Sequence, residues 1–214
     1  MKKYFINCGS HNGCSTRWFR DTIDKNEEYF IYSFEPDPRF KDCYKGLKKH
    51  KFINKVVWIK NGRVDFYPSM VGLANGGSVM ENKRTGSLDK GHPLNVKCID
   101  FGGWIKKHFK KEDYVFVKFD IEGAEYEVLE KMMEDKSFDY IDRLSVSFHY
   151  HKLRKMLPSE HTKFEKKLKE HLKIPLEYWR FVHYGKYTKK PIKKYEELRT
   201  EISRKKKDTK KLNS

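Results

Sequence analysis

YVFVKFDIEGAEYEVLEKMM, residues 114–133, is the stretch that decides the fold. Its opening run is aromatic and β-branched except for Lys118, the composition of a strand buried on both faces. Its second half sets Ala124, Val128, Leu129 and Met132 on one side of a helix over residues 124–133. Asp120, Glu122 and Gly123 lie between, so a central strand feeds directly into a helix. The acids Asp120, Glu122 and Glu125 repel one another at a strand's carboxyl end unless they bind something. Glu122 and Glu125 also sit favourably at a helix N-terminus, an account that serves Glu125 well and Asp120 poorly.

Working outward, the same alternation recurs. Residues 4–8 read as a buried strand, and the loop NCGSHNGCS (7–15) leads to a helix over about 15–25 capped by Ser15 or Thr16. Residues 29–34 form the next strand, which ends in Glu35-Pro36-Asp37-Pro38, with a helix starting near Pro38. Residues 51–59 are a third strand, and 63–67 a short one after the Asn61-Gly62 turn. Residues 68–93 are rich in Gly, Asn and Ser, a long loop of the kind that is functional or mobile. A strand at 96–99 follows, then a helix capped by Asp100 that runs to about Phe109. Beyond the central stretch come a strand at 144–149, a basic stretch to 172, and a late antiparallel strand at 178–184. Alternating strands and helices predict an α/β fold, an open and mostly parallel sheet with helices on both faces. Ligands of such sheets sit at the carboxyl ends of the strands, near the switch point.

A chain of 214 residues suits one domain, read as 1–204 with a basic tail at 205–214. The net charge of +17 comes mostly from Lys and admits three accounts: attraction to nucleic acid or an anionic surface, biased Lys usage, or solubility. Nucleic-acid binders concentrate Arg and aromatics on one face, whereas here Lys dominates and the aromatics fall in apolar-periodic segments. Cys8, Cys14, Cys43 and Cys98 form no CxxC pair, which fits reduced thiols in a cytoplasmic protein. The N-terminus enters a strand pattern at once, with an apolar run too short for a signal peptide, and no stretch is long enough for a membrane span.

The strand ends carry the candidate chemistry. Gly9 and Gly13 in the first loop allow a ligand close to the backbone, although the loop is neither GxGxxG nor a Gly-Lys-Ser/Thr phosphate cradle and also reads as a plain tight turn. Glu35 ends the second strand, where a carboxylate can accept from both hydroxyls of a ribose. A glycine loop after strand one and an acid ending strand two are the two halves of a nucleoside site.

The order FINCGSHNG, FEPDP, VKCIDF and VKFDIEGAEYEVLE resembles the FkbM family of S-adenosylmethionine-dependent methyltransferases, whose hallmark is Lys-Ile-Asp-Val-Glu-Gly-x-Glu. The resemblance covers about residues 4–149. It implies a Rossmann-like class I methyltransferase fold with a seven-stranded sheet, and methyl transfer to a hydroxyl, commonly of a sugar or polyketide. It further implies that Gly9, His11, Asn12 and Gly13 line the methionine and ribose portion of the cofactor and that Glu35 binds the ribose. By the same resemblance Asn54 lies near the adenine, Asp120 near the cofactor's amino group, and Lys118, Glu122 and His149 face the acceptor. Two positions depart from the family pattern: Asn7 stands where Asp is usual, and Ser147 where a carboxylate precedes the final His.

His149 is then the leading base for a hydroxyl acceptor, because imidazole titrates near working pH, with Glu122 as the alternative. His11, His108, His151 and His183 read as loop or surface residues in that respect. A divalent ion on Asp120 and Glu122 is an option the spacing does not require. The leading expectation is O-methylation of a carbohydrate or glycan hydroxyl. RNA methylation is the alternative suggested by charge, against which stand the absence of an NPPY-like or DPPY-like run and of a KDKE series. A third reading is a non-catalytic binding module of the same fold.

Overall fold

The computed structural model describes residues 1–70 and 76–179. In chain order the elements are β1 (Lys3–Cys8), α1 (Cys14–Thr22), β2 (Tyr29–Phe34), β3 (His50–Ile53), β4 (Val56–Trp58), β5 (Gly62–Phe66), β6 (Leu94–Asp100), α2 (Phe101–His108), β7 (Tyr114–Phe119), α3 (Glu125–Glu134), β8 (Arg143–Val146), α4 (Pro158–His171) and β9 (Leu176–Tyr178). A 3₁₀ helix, Pro38–Tyr44, follows β2 and is capped by Asp37, whose side chain accepts from the Arg39 amide.

The main sheet has the order β3-β2-β1-β7-β8-β9, and every pair in it is parallel. The chain winds outward from β1 to β3, then returns to lay β7 on the other side of β1. The switch point therefore falls between β1 and β7, which run side by side with Cys8 opposite Phe119. A smaller sheet, β4-β6-β5, takes β4 parallel and β5 antiparallel to β6.

Period-two alternation sorts the side chains of β1 and β7 onto two faces. Phe5, Ile31 and Phe116 pack under Phe19 of α1, with the Phe5 and Phe19 rings stacked at 3.8 Å. Ile6, Cys8, Val115, Val117 and Phe119 face the other way, into a larger core with Phe101 and Ile105 of α2, Val128, Leu129 and Met132 of α3, and Leu168 of α4. Burial of each such phenylalanine contributes roughly 1.5–3 kcal/mol, so these two apolar layers hold the sheet between its helices.

One row on the α1 face breaks the apolar pattern. Ser33, Asn7, Lys118 and Ser145 are register partners across β2, β1, β7 and β8, and all are buried. The Asn7 amide donates to Ser15 Oγ at 2.8 Å and Thr16 Oγ1 at 2.9 Å, and Thr16 Oγ1 lies 3.0 Å from Ser33 Oγ. These bonds correct the expected start of α1. Ser15 and Thr16 do not cap it; they turn inward onto the row, and the N-cap is Gly13 in the left-handed region at φ 78°.

Other expectations change in detail. The strand expected over 51–59 is divided at residues 54–55 into β3 and β4, which belong to different sheets. The strand expected over 144–149 stops at Val146, leaving residues 147–149 as the wall of a crevice. Of the late antiparallel strand over 178–184, the described part ends β9, which is parallel to β8; residues from 180 on, His183 and the 205–214 tail among them, lie outside the described residues. The main sheet thus has six strands among the described residues against the seven expected. Asp100 caps α2 as anticipated, accepting from the Gly103 amide at 3.2 Å.

Candidate active site

The loops after β1, β2, β7 and β8 open into one cavity of about 590 Å³ at the carboxyl end of the sheet, within the size range of small-molecule sites. Gly9 is obligatory there. It has φ 73°, and a Cβ on it would stand 1.9 Å from the Asp120 carbonyl oxygen, so only glycine lets the β1 and β7 loops approach so closely. Its amide and that of Ser10 donate to Phe34 O, tying the first loop to the end of β2.

Glu35 is 6% exposed. Each of its oxygens accepts one main-chain amide, His11 N on Oε2 and Asp37 N on Oε1, both at 2.8 Å. Burial first, and then the neighbouring Asp37, raise its carboxyl to about 8 against the opposing pull of those amides and Lys118. The Asn54 amide donates to Glu35 O at 2.8 Å and Pro36 O at 3.0 Å, so it braces this turn from behind and does not line the cavity. Gly13 also stays out of the lining, while Gly9, His11 and Asn12 are in it.

After β7, Lys118 is 1% exposed; its ammonium donates to Gly9 O at 3.1 Å and pairs with Asp120 Oδ2 at 3.2 Å. Lys118 thus ties the two loops together from beneath. Glu122 takes φ 59°, an unusual conformation for a side-chain-bearing residue and one that clusters at functional sites. Its carboxylate meets Lys83 Nζ at 2.9 Å and Lys152 Nζ at 2.9 Å. Burial alone would raise the Glu122 carboxyl, but His149, Lys83 and Lys152 override it and hold it at about 2.

His149 is 5% exposed and is held from behind. Its Nδ1 lies 2.8 Å from Oε1 of Glu125, which is itself 0% exposed. The Glu125 oxygens also accept the Ile121 and Gly123 amides at 2.8 Å. A carboxylate accepting on both oxygens takes a donor from imidazole, so Nδ1 carries the proton and Nε2 faces Asp120 Oδ1 at 3.5 Å and Glu122 Oε1 at 3.7 Å. Burial lowers the imidazole, but Glu125 above all, then Glu122 and Asp120, raise it, and the raising wins.

Asp120, Glu122 and His149 offer three ligand atoms within 4.8 Å of one another, the set among the described residues that could hold a divalent cation. Ser147 lines the same wall, but its hydroxyl cannot replace a carboxylate as base or ligand. At the other departure, the Asn7 amide donates to the Ser15 and Thr16 hydroxyls of α1, while its Oδ1 has no partner.

In the sequence, neither Glu125 nor Lys83 stands out as part of the site. The signal for Glu125 was its spacing from Asp120, but spacing does not separate a charge at a helix terminus from a brace for an imidazole 24 residues away. Lys83 had no signal beyond its place in the long glycine-rich loop. His151, read as a surface residue, is exposed at the cavity lining.

The chain matches the family model described as the Methyltransferase FkbM domain over residues 7–174. No curated protein and no solved structure gives a match. The matched span includes the Gly9 loop, Glu35, the 118–125 segment and His149, all of which converge on the one cavity. This chain belongs to the FkbM methyltransferase family.

Proposed function

We propose that the protein is an S-adenosylmethionine-dependent O-methyltransferase acting on a hydroxyl of a carbohydrate or glycan. The observation that carries this reading is the Glu125–His149 pair: a buried carboxylate orients an imidazole so that Nε2 faces the cavity. A hydroxyl nucleophile needs a base there, and a neutral Nε2 is one.

The cofactor-side residues fit the group that the family uses. Glu35 keeps a lone pair on each oxygen beyond its main-chain bonds, an acceptor set for a ribose diol. The bare Gly9 backbone allows close approach, and Asp120, with one oxygen on Lys118, keeps the other toward the cavity for an ammonium group. When bound, S-adenosylmethionine supplies an electrophilic methyl on a sulfonium.

His149 would accept the acceptor hydroxyl's proton at Nε2 as that oxygen becomes the nucleophile toward the methyl group that the cofactor would supply. Glu125 holds Nδ1–H throughout and stabilises the imidazolium that results. Glu122, ionised and gripped by two lysines, is an electrostatic and positioning group and is poorly suited to take a proton. The residues required are all protein side chains; a divalent ion on Asp120, Glu122 and His149 would compete with the base role of His149.

The test is transfer of labelled methyl from the cofactor to a panel of methyl glycosides and native glycans, with RNA alongside. Label in a glycoside hydroxyl supports the reading. Label in RNA, with affinity falling steeply as salt rises, would redirect it to the nucleic-acid alternative.

A further inference from the structure

The mechanism above gives the buried Lys83 no task beyond its grip on Glu122. Lys83 comes from the 76–93 segment, far from the hallmark in sequence, yet is 1% exposed. Burying an ammonium costs several kcal/mol unless it is well paired, and an apolar side chain of similar length would fill the space without that cost. The place is nevertheless built around the charge. Lys83 Nζ donates to Gly76 O and pairs with Glu122 Oε2. Gly76 and Gly86, at φ 88° and 85°, flank it, and a Cβ on either would stand 2.9 Å from Nζ.

The segment that carries Lys83 is fastened to the site wall. Ser78 Oγ donates to Glu122 O at 2.9 Å. Lys83 bridges Leu153, the Arg84 amide donates to Lys152 O at 2.9 Å, and the Arg154 amide donates to Asn82 O at 3.2 Å. These contacts bring Lys83 onto Glu122 Oε2, while Lys152 spans both oxygens at 2.9 and 3.0 Å and Oε1 lies 3.7 Å from His149 Nε2. With Lys118 on Asp120, three ammonium groups hold the carboxylates of Asp120 and Glu122, while Glu125 pairs with His149.

We propose that Lys83 is a positioning residue for methyl transfer: its ammonium fixes the Glu122 carboxylate beside His149, so that the 76–93 segment completes the acceptor-activating cluster. The proposal rests on the methyltransferase reading of this site. Lys83 touches neither the acceptor nor the cofactor in this account and acts through Glu122.

The test compares Lys83→Met, Glu122→Gln and the double variant with the wild-type protein. The readouts are cofactor affinity by calorimetry, and kcat and KM toward a methyl glycoside that the wild-type protein methylates. Lys83→Met is expected to lose about 10²-fold in kcat, the scale of a small misplacement near the chemistry, with KM and cofactor affinity within about twofold. Glu122→Gln is expected to match it, and the double variant to be no worse than either single one, because both act on one contact. Lys83→Ala should regain part of its kcat on addition of ethylammonium.

A folded, cofactor-binding Lys83→Met protein with wild-type kcat would overturn the proposal while leaving the function intact. So would a double variant whose loss is the product of the two single losses. If Lys83→Met fails to fold, the double variant, which carries no charge at position 83 or 122, is compared with Glu122→Gln; equal kcat supports the proposal and a tenfold deficit overturns it. A wild-type protein that binds cofactor but methylates no glycoside or glycan refutes the acceptor reading and the proposal with it.

Discussion

At the scale of single residues, His149 shows how a buried imidazole can be kept basic. Burial alone would discharge it, but Glu125, Glu122 and Asp120 push its titration above the ordinary value of about 6.5. As a base it must be neutral, so kcat is expected to rise with pH and to level off only above that raised value. Removing the largest raising influence with Glu125→Gln should move the inflection to lower pH and cut kcat by roughly 10²-fold, read from a pH–rate profile. The same shift stabilises the fold below the unfolded-state value, and that contribution is lost as pH rises through the folded value. Glu35 gives a second linkage. A ribose diol donates hydrogen bonds and so selects the carboxylate, whereas burial and Asp37 hold the proton on Glu35 up to about pH 8. Cofactor affinity should therefore weaken as pH falls below about 8, with proton release on binding; calorimetry in buffers of different ionisation enthalpy measures it. Asp120→Ala is expected to abolish both cofactor affinity and methyl transfer. Unchanged activity in that variant would remove Asp120 from the site.

At the scale of elements, the crossing of the β1 and β7 loops is the tightest point in the site. Gly9→Ala must separate those loops, since its Cβ would overlap the Asp120 carbonyl. The expected cost is about 3 kcal/mol or more, seen as a lowered Tm together with lost cofactor binding. Here the sequence was informative: a glycine after a buried strand and acids at the ends of two neighbours indicated which strand ends would meet. The 114–133 stretch was legible as strand and helix because its hydrophobic period changes at Asp120. The inward turn of Ser15 and Thr16 was not legible. A hydroxyl at a helix start is an ordinary cap, and only Asn7, polar in a buried strand beneath it, gives it another destination. The split of the 51–59 strand was hidden for a similar reason. Asn54-Lys55 is a polar pair between two apolar runs, which reads equally as the exposed part of one strand, while hydrogen bonding passes from one sheet to another.

At the scale of the whole molecule, parallel winding brings residues from four strand ends into one cavity, and no helix among the described residues is long and apolar enough to cross a membrane. The fold class was readable because hydrophobic periods are set by residues near one another in sequence. Glu125 as a brace and Lys83 as a buried cation were not, because each is defined by partners 24 or 39 residues away, His149 and Glu122. The net charge of +17 remains outside the mechanism. If it is only a solvated surface, methyl transfer to a neutral glycoside should change little between low and moderate salt, whereas use of an anionic polymer would show a steep decline. The most direct measurement is a crystal structure with S-adenosylhomocysteine and a methyl glycoside bound. The expected result is the ribose diol on Glu35, the ammonium group at Asp120, and a glycoside hydroxyl between sulfur and His149 Nε2. A cofactor bound elsewhere, or His149 turned away from the sulfur, would contradict it.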